Sequence, residues 1–288
     1  MKPAPFNLHR PRGVPEALAL LAGRDARVLA GGQSLVPLLA IRSVDVKHLV
    51  DINRISGLDR VSVADGEVRV GALVRHADVE DHRELRRAFP LLAQVADRLA
   101  YRAVRNRGTV CGGLAHADPT GDWPLVLLAV GGRLVARSVG REREIAADEF
   151  FTGPFDTTLA GDELLVEARF ANPPGWRWGV DRFSRKTPGP ALAMAIVGLQ
   201  IDAGGRVRQA RVAASGAGNR PLRVHALEEQ LVAKDVDHVP SLEFGPPLAK
   251  LNGAGDLNGS AEYRRGLVAT VCRRALAGAV GASATRLA

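Results

Sequence analysis

The residues best placed to do chemistry lie in two short glycine-rich segments, Ala30-Gly31-Gly32-Gln33-Ser34-Leu35 and Thr109-Val110-Cys111-Gly112-Gly113. Without a Cβ, glycine lets backbone N–H groups converge and lets a ligand press close to the chain. That is an economical way to hold a pyrophosphate, and Ser34 and Thr109 each add a hydroxyl. Glycine pairs also serve as plain turns, so either segment alone leaves both uses open. The familiar nucleotide fingerprints are absent. No G-x-G-x-x-G follows a strand, no G-x-x-x-x-G-K-[ST] occurs, and Gly216-Ala217-Gly218 and Gly253-Ala254-Gly255 lack the third glycine.

Just after the second segment, His116, Asp118 and Asp122 fall within seven residues. A divalent metal wants three or four convergent ligands, and Pro119 interrupts any continuous helical face here. No metal site is expected. Asp122, beside Trp123 and Pro124, suits a carboxylate accepting hydrogen bonds from ribose hydroxyls. Neither G-x-S-x-G nor H-E-x-x-H occurs, so no catalytic nucleophile is assigned. The two cysteines, Cys111 and Cys272, are too few and too far apart for a disulfide framework or an iron–sulfur site within this chain. Cys272 reads as core.

The elements that must position these residues follow from periodicity. A helix is expected over 15–22, with Pro15 at its start and Gly23 past its end. A short strand over 27–30 then runs directly into the first glycine segment, and a strand over 48–52 closes a small α/β unit. Strands are expected over 61–63 and 67–72, then helices over 76–88 and 91–100. The second glycine segment reads as a loop, followed by a helix over 123–130, a strand over 134–136, a helix-like stretch over 147–151 and a strand over 163–170. Asn172-Pro173-Pro174-Gly175 marks a boundary. Beyond it, strands over 178–184, 192–201 and 207–215 precede helices over 223–234 and 263–280, with loops at Pro246-Pro247 and over 252–260. Three units are therefore expected, 1–55, 56–173 and 176–288.

Composition bounds the partners. The chain has 288 residues, 46% hydrophobic and 24% charged, and no stretch approaches the ~18 uninterrupted apolar residues of a membrane helix. No secretory signal pattern opens it, so cytoplasmic residence is expected. The net charge of +8 fits any anion, and lysine occurs at only five positions, so a compositional preference for arginine explains the basicity as well as function does. Nucleic-acid binding would rest on charge alone: two tyrosines and no aromatic-rich basic strand leave little for bases to stack on.

Taken together, the first glycine segment, the stretch Arg105-Asn106-Arg107-Gly108-Thr109-Val110-Cys111-Gly112-Gly113-Leu114-Ala115-His116-Ala117-Asp118-Pro119, and Asp122 resemble the FAD-binding medium subunit of the carbon monoxide dehydrogenase and xanthine dehydrogenase family of molybdenum hydroxylases. The resemblance covers nearly the whole chain. It implies an α+β architecture: a two-subdomain FAD-binding fold of the vanillyl-alcohol-oxidase (PCMH) type, then a carboxy-terminal α+β domain with a small antiparallel sheet and helices. It also implies that Ala30, Gly31, Gly32, Gln33, Ser34 and Leu35, with Thr109, Cys111, Gly112 and Gly113, cradle the FAD pyrophosphate, and that Asp122 holds the adenosine ribose. Leu164 matches the position touching the adenine end. Leu99 stands where relatives set an aromatic ring against the flavin, Cys111 where many have the first glycine of T-[IV]-G-G, and Gly113 where serine, asparagine or aspartate is usual. Pro188-Gly189-Pro190 and Asp181 also depart from family choices. The implied partners are a large molybdopterin subunit and a small [2Fe–2S] subunit, as a dimer of heterotrimers. Electrons would pass from the partner's cluster through FAD to an external acceptor. The alternative is a self-sufficient FAD oxidase of the same fold, which needs a substrate cap.

Overall fold

The structure, a computed structural model, describes residues 2–239, 242–248, 251 and 255–281. Residues 252–254 of the loop expected over 252–260, and 282–288 of the last expected unit, lie outside the described residues.

The chain opens with two parallel crossovers. Strand β1 (Asn7–His9), helix α1 (Val14–Leu21), strand β2 (Ala26–Leu29), helix α2 (Leu35–Ala40) and strand β3 (His48–Asp51) build a three-stranded sheet in the order β1-β3-β2. Both pairings are parallel, and Leu29 lies opposite Asp51. The carboxyl ends of β2 and β3 therefore emerge side by side, the place where open parallel sheets receive ligands.

A five-stranded antiparallel sheet follows, β4 (Val61–Ala64), β5 (Glu67–Gly71), β10 (Leu164–Ala171), β6 (Arg133–Ser138) and β7 (Arg141–Ala146), in that spatial order. Between β5 and β6 the chain forms helices α3 (His76–Asp81), α4 (Arg83–Ala88), α5 (Pro90–Arg98), α6 (Arg102–Arg105), α7 (Val110–His116) and α8 (Asp122–Val130). Helix α9 (Ala147–Phe150) and the small hairpin β8 (Phe151–Gly153) and β9 (Asp156–Thr157) precede β10. The last sheet is antiparallel, β11 (Trp176–Phe183), β12 (Ala193–Ile201), β13 (Val207–Ser215) and β14 (Leu222–Arg223), with helices α10 (His225–Leu231), α11 (Gly245–Leu248) and α12 (Ala261–Val280). The mixed α and β composition with an antiparallel carboxy-terminal sheet is the architecture expected.

Helix α8 explains why 123–130 is apolar all round: every one of the helix residues is buried, Asp122 at its start included, as a helix covered on all sides must be. It touches β10 of the five-stranded sheet and β12, β13 and β14 of the last one. Ala191, Met194, Ile196 and Ala213 share its core, so the last sheet gives one face to the core it shares with the five-stranded sheet and the other to α10 and α12. Helix α12 lies hard on β11. A Cβ on Gly179 would stand 1.9 Å from the Ala275 carbonyl oxygen.

Three expectations need correction. The helix expected over 76–88 breaks at His82, which is extended and whose Nδ1 accepts from the Leu85 N–H to start α4. Strand β7, Arg141-Glu142-Arg143-Glu144-Ile145-Ala146, escaped notice because its charges alternate with few apolar residues; Arg143 is spent on Glu163 at 2.7 Å. The second glycine segment is no loop. Thr109 caps α7, its Oγ1 accepting from the Gly112 N–H at 3.0 Å, and the glycines that suggested a turn are inside the helix.

Candidate functional site

The first glycine segment connects the end of β2 to α2. Gly32 is left-handed, φ 72°, a conformation that costs a Cβ-bearing residue about 1–2 kcal/mol. The N–H groups of Gly31, Gly32, Gln33, Ser34 and Leu35 have no acceptor among the described residues. Beside them opens a cavity of about 350 Å³ lined by Ala30, Gly31, Gly32 and Gln33 together with Asp51, Asn53 and Arg107.

The second segment is held as an extension of the chain leaving β5. Val110 N–H donates to the Val74 carbonyl at 3.1 Å, and His76 N–H to the Gly108 carbonyl at 3.0 Å. The two segments then meet. A Cβ on Gly31 would lie 2.3 Å from the Arg107 carbonyl oxygen and 2.8 Å from the Gly108 Cα, so only glycine permits this approach. Side chains that sequence inspection missed complete the junction. Asn53 Nδ2 donates to the Ala30 carbonyl at 2.8 Å, Arg75 Nη2 donates to Asn53 Oδ1 at 2.6 Å, and Arg75 Nη1 donates to the Arg107 carbonyl. Arg75 belongs to no motif, whereas Asn53 was findable: it follows the strand parallel to β2 and so emerges at the same sheet edge.

Behind the junction sits a buried aromatic brace. Trp123 Nε1 donates to His76 Nδ1 at 3.0 Å and the two rings stack, which places the His76 proton on Nε2. Burial, helped by the charges of Arg75 and Arg105, pulls the His76 pKa down to about 4. A histidine whose folded pKa lies below its unfolded value of about 6.5 stabilises the fold fully above pH 6.5 and loses that contribution as pH falls toward 4. At pH 5 the loss attributable to His76 is expected to be about 2 kcal/mol. Urea unfolding of the wild type and His76→Gln at pH 7.5 and 5 tests it: equal pH dependence in both proteins contradicts the assignment.

Of the other expected residues, the structure brings some to the junction and sends others elsewhere. Gly113 packs against Trp123, where a Cβ would come 3.2 Å from the ring. The Cys111 thiol points into the core toward the Val70 carbonyl, 3.6 Å away, and burial pushes its pKa up. Leu164 is buried as the first residue of β10, opposite Arg137. Leu99 ends α5 with its carbonyl, like that of Ala100, accepting from Arg105, and Arg105 is clamped by Glu80 at 2.7 Å.

Asp122 has a partner within the protein. It is 4% exposed, and its Oδ1 accepts from Arg182 Nε at 3.1 Å. Arg182 also donates to Ser184 and to the Gly189 carbonyl, so the pair ties α8 to the turn containing Pro188 and Pro190. This carboxylate is held by a protein guanidinium 60 residues away. His116 rests against Phe155, and Asp118 Oδ1 is taken by Thr120. Among the described residues, no group of three or more His, Cys, Asp or Glu is placed to hold a metal ion, and no helix is long and apolar enough to cross a membrane.

Residues 4–171 match the family described as the FAD-binding domain in molybdopterin dehydrogenase. This chain belongs to that family. Residues 181–279 match a second family, the carbon monoxide dehydrogenase flavoprotein carboxy-terminal domain. Similar along its length is the nicotine 6-hydroxylase medium subunit of Paenarthrobacter nicotinovorans, 35% identical, with 92% of this chain and 94% of that one covered. Among solved structures, the carbon monoxide dehydrogenase of Hydrogenophaga pseudoflava that lacks the Mo-pyranopterin moiety superposes with a TM-score of 0.90 at 34% identity, over 98% of this chain and 99% of the other. The quinoline 2-oxidoreductase of Pseudomonas putida does so with 0.91 at 32%, over 98% and 99%. The chain is thus an FAD-binding medium subunit of the molybdenum hydroxylase type, an oxidoreductase flavoprotein subunit.

The residues present fit that cofactor. The amides of residues 31–35, without an acceptor among the described residues, offer a run of donors for an anion, and the close approach at Gly31 is a place a Cβ would fill.

Proposed function

We propose that FAD binds with its diphosphate against the amides of residues 31–35 and the Thr109 end of α7, and that the chain works between a large molybdopterin-binding subunit and a small [2Fe–2S] subunit. The observation that carries this is the meeting of the two glycine segments at Gly31 and Arg107, beside a run of donors without protein acceptors. Bound there, FAD supplies exchange of electrons between a partner's iron–sulfur cluster and an external acceptor. The chain's own residues bind and orient it: Ala30, Gly32, Gln33 and Ser34 shape the first cradle, and Thr109, Cys111 and Gly112 present backbone from the second. Leu99 and Leu164 are proposed as apolar neighbours of the ring system and adenine. Asp122 acts through Arg182, fixing α8 against the Gly189 turn. The medium-subunit names of the relatives support assembly with partners.

The test is a visible spectrum and FAD titration of the purified chain, then metal analysis of the complex purified from its native extract. Flavin bands, saturable FAD uptake and co-purifying molybdenum and iron are expected. A chain that neither carries nor takes up FAD contradicts the binding reading, and a lone flavoprotein turning over small substrates points instead to a self-sufficient oxidase.

A further inference from the structure

Arg75 and Arg107 are basic residues without a carboxylate partner at the most crowded point of the cofactor cleft. Neither forms an ion pair among the described residues, although many other arginines of the chain do. The Arg75 guanidinium spends two donors on neutral oxygens, Asn53 Oδ1 and the Arg107 carbonyl. Its backbone N–H donates to Asp78 Oδ2 at 2.8 Å, and Arg75 bridges antiparallel to Thr109. Asn53 in turn holds the Ala30 carbonyl and Asp51 Oδ1. One side chain thus spans from the peptide entering the first glycine segment, through Asn53, to the peptide entering the second. Arg107 lines the cavity beside the free amides. Partial burial and then the neighbouring charge of Arg107 pull the Arg75 pKa below its ordinary value, against the opposing pull of Asp78 and Asp51.

Nothing in the glycine segments themselves sets their separation. The first leads from β2 into α2 and the second opens α7, and the Gly31 contact prevents closer approach without preventing parting. We propose that Arg75 is a positioning residue for the FAD site, latching the two glycine segments through Asn53 and the Arg107 carbonyl, and that with Arg107 it supplies positive charge that the diphosphate meets. This rests on the FAD reading above. The planar fork of arginine matters: it reaches two oxygens at once in fixed geometry, which a lysine ammonium cannot reproduce.

The experiment is FAD titration by flavin fluorescence, using the full chain at several sodium chloride concentrations. Wild type, Arg75→Gln, Arg75→Lys, Asn53→Ala and Arg107→Gln are compared after circular dichroism shows each folded. Arg75→Gln is expected to raise Kd about tenfold or more, the worth of charge-assisted hydrogen bonds. Arg75→Lys should raise Kd nearly as much while keeping the wild-type salt dependence, because charge survives and the latch does not. Asn53→Ala, which alters no charge, should weaken binding in the same sense, and Arg107→Gln should flatten the salt dependence. Wild-type Kd in Arg75→Lys or Asn53→Ala overturns the latch, as does an Arg75→Gln protein that loses thermal stability but binds FAD normally. An unchanged salt slope in Arg107→Gln overturns the charge assignment. Failure of the wild type to bind FAD is a separate result, which removes the underlying reading.

Discussion

Gly31→Ala is expected to weaken FAD binding by about 100-fold, about 2.7 kcal/mol, because the two segments beside the cavity must separate to admit the new Cβ. The new Cβ would meet the Arg107 carbonyl oxygen at 2.3 Å and the Gly108 Cα at 2.8 Å. Both are backbone atoms, so no rotamer change relieves the clash and the two glycine segments must part. Gly32→Ala makes the informative comparison. Its Cβ would face side-chain atoms of Val36 and Leu29 at 3.1 and 3.3 Å, and its cost lies mainly in the left-handed backbone. The parallel sheet behind Gly31 pairs through β2 and β3 without the glycine's help, so the variant should keep its secondary structure. Circular dichroism with FAD titration decides it: a folded Gly31→Ala protein binding within threefold of wild type would sink the claim that the segments must touch.

Asp122→Ala is expected to cost about 3–5 kcal/mol of stability, the usual consequence of orphaning one member of a buried ion pair. The side chains of Arg182 and Asp122 are 9% and 4% exposed, so the guanidinium left behind finds little water. The pair is not therefore a large net contributor. Burial pushes the Asp122 carboxyl above its ordinary range, and Arg182 pulls it back only in part. Desolvation thus offsets most of the attraction, and replacing both partners by apolar residues should do far less harm. The expected order of urea midpoints is wild type close to Asp122→Leu/Arg182→Met, with both single variants well below. If Asp122→Ala unfolds within about 1 kcal/mol of wild type, the pair is not the tie between α8 and the Gly189 turn described above. FAD titration of the double variant separates the roles: retained affinity supports the structural role of Asp122, and its loss favours the ribose contact first expected.

Much of this architecture was legible because local physics and tertiary context agree. Pro15 and Gly23 bracket α1, apolar-rich runs bounded by turn residues mark β11 to β13, and the apolar run over 123–130 announces a buried helix. Errors arose where they disagree. His82 has no helix-breaking chemistry of its own, yet its extended backbone and its cap on Leu85 divide α3 from α4. Gly112 and Gly113 suggested a loop, but the Thr109 cap and the packing of Gly113 on Trp123 hold them in a helix.

What the sequence determined by itself was the pair of glycine segments and their chemistry, because a missing Cβ and a run of amides are properties of residue type and order. It also determined family membership, since the motif and its flanks are local strings. Only the tertiary structure decided what surrounds them. Asn53, Arg75 and Arg107 become one bridge because β2 and β3 run parallel and end at the same edge, while the stretch after β5 lies antiparallel to Thr109. Asp122 finds Arg182 because β11 places it beside the first turn of α8. Such partnerships depend on which strands lie side by side, and a hydrogen bond across 60 residues leaves no mark on the spacing of either partner's neighbours.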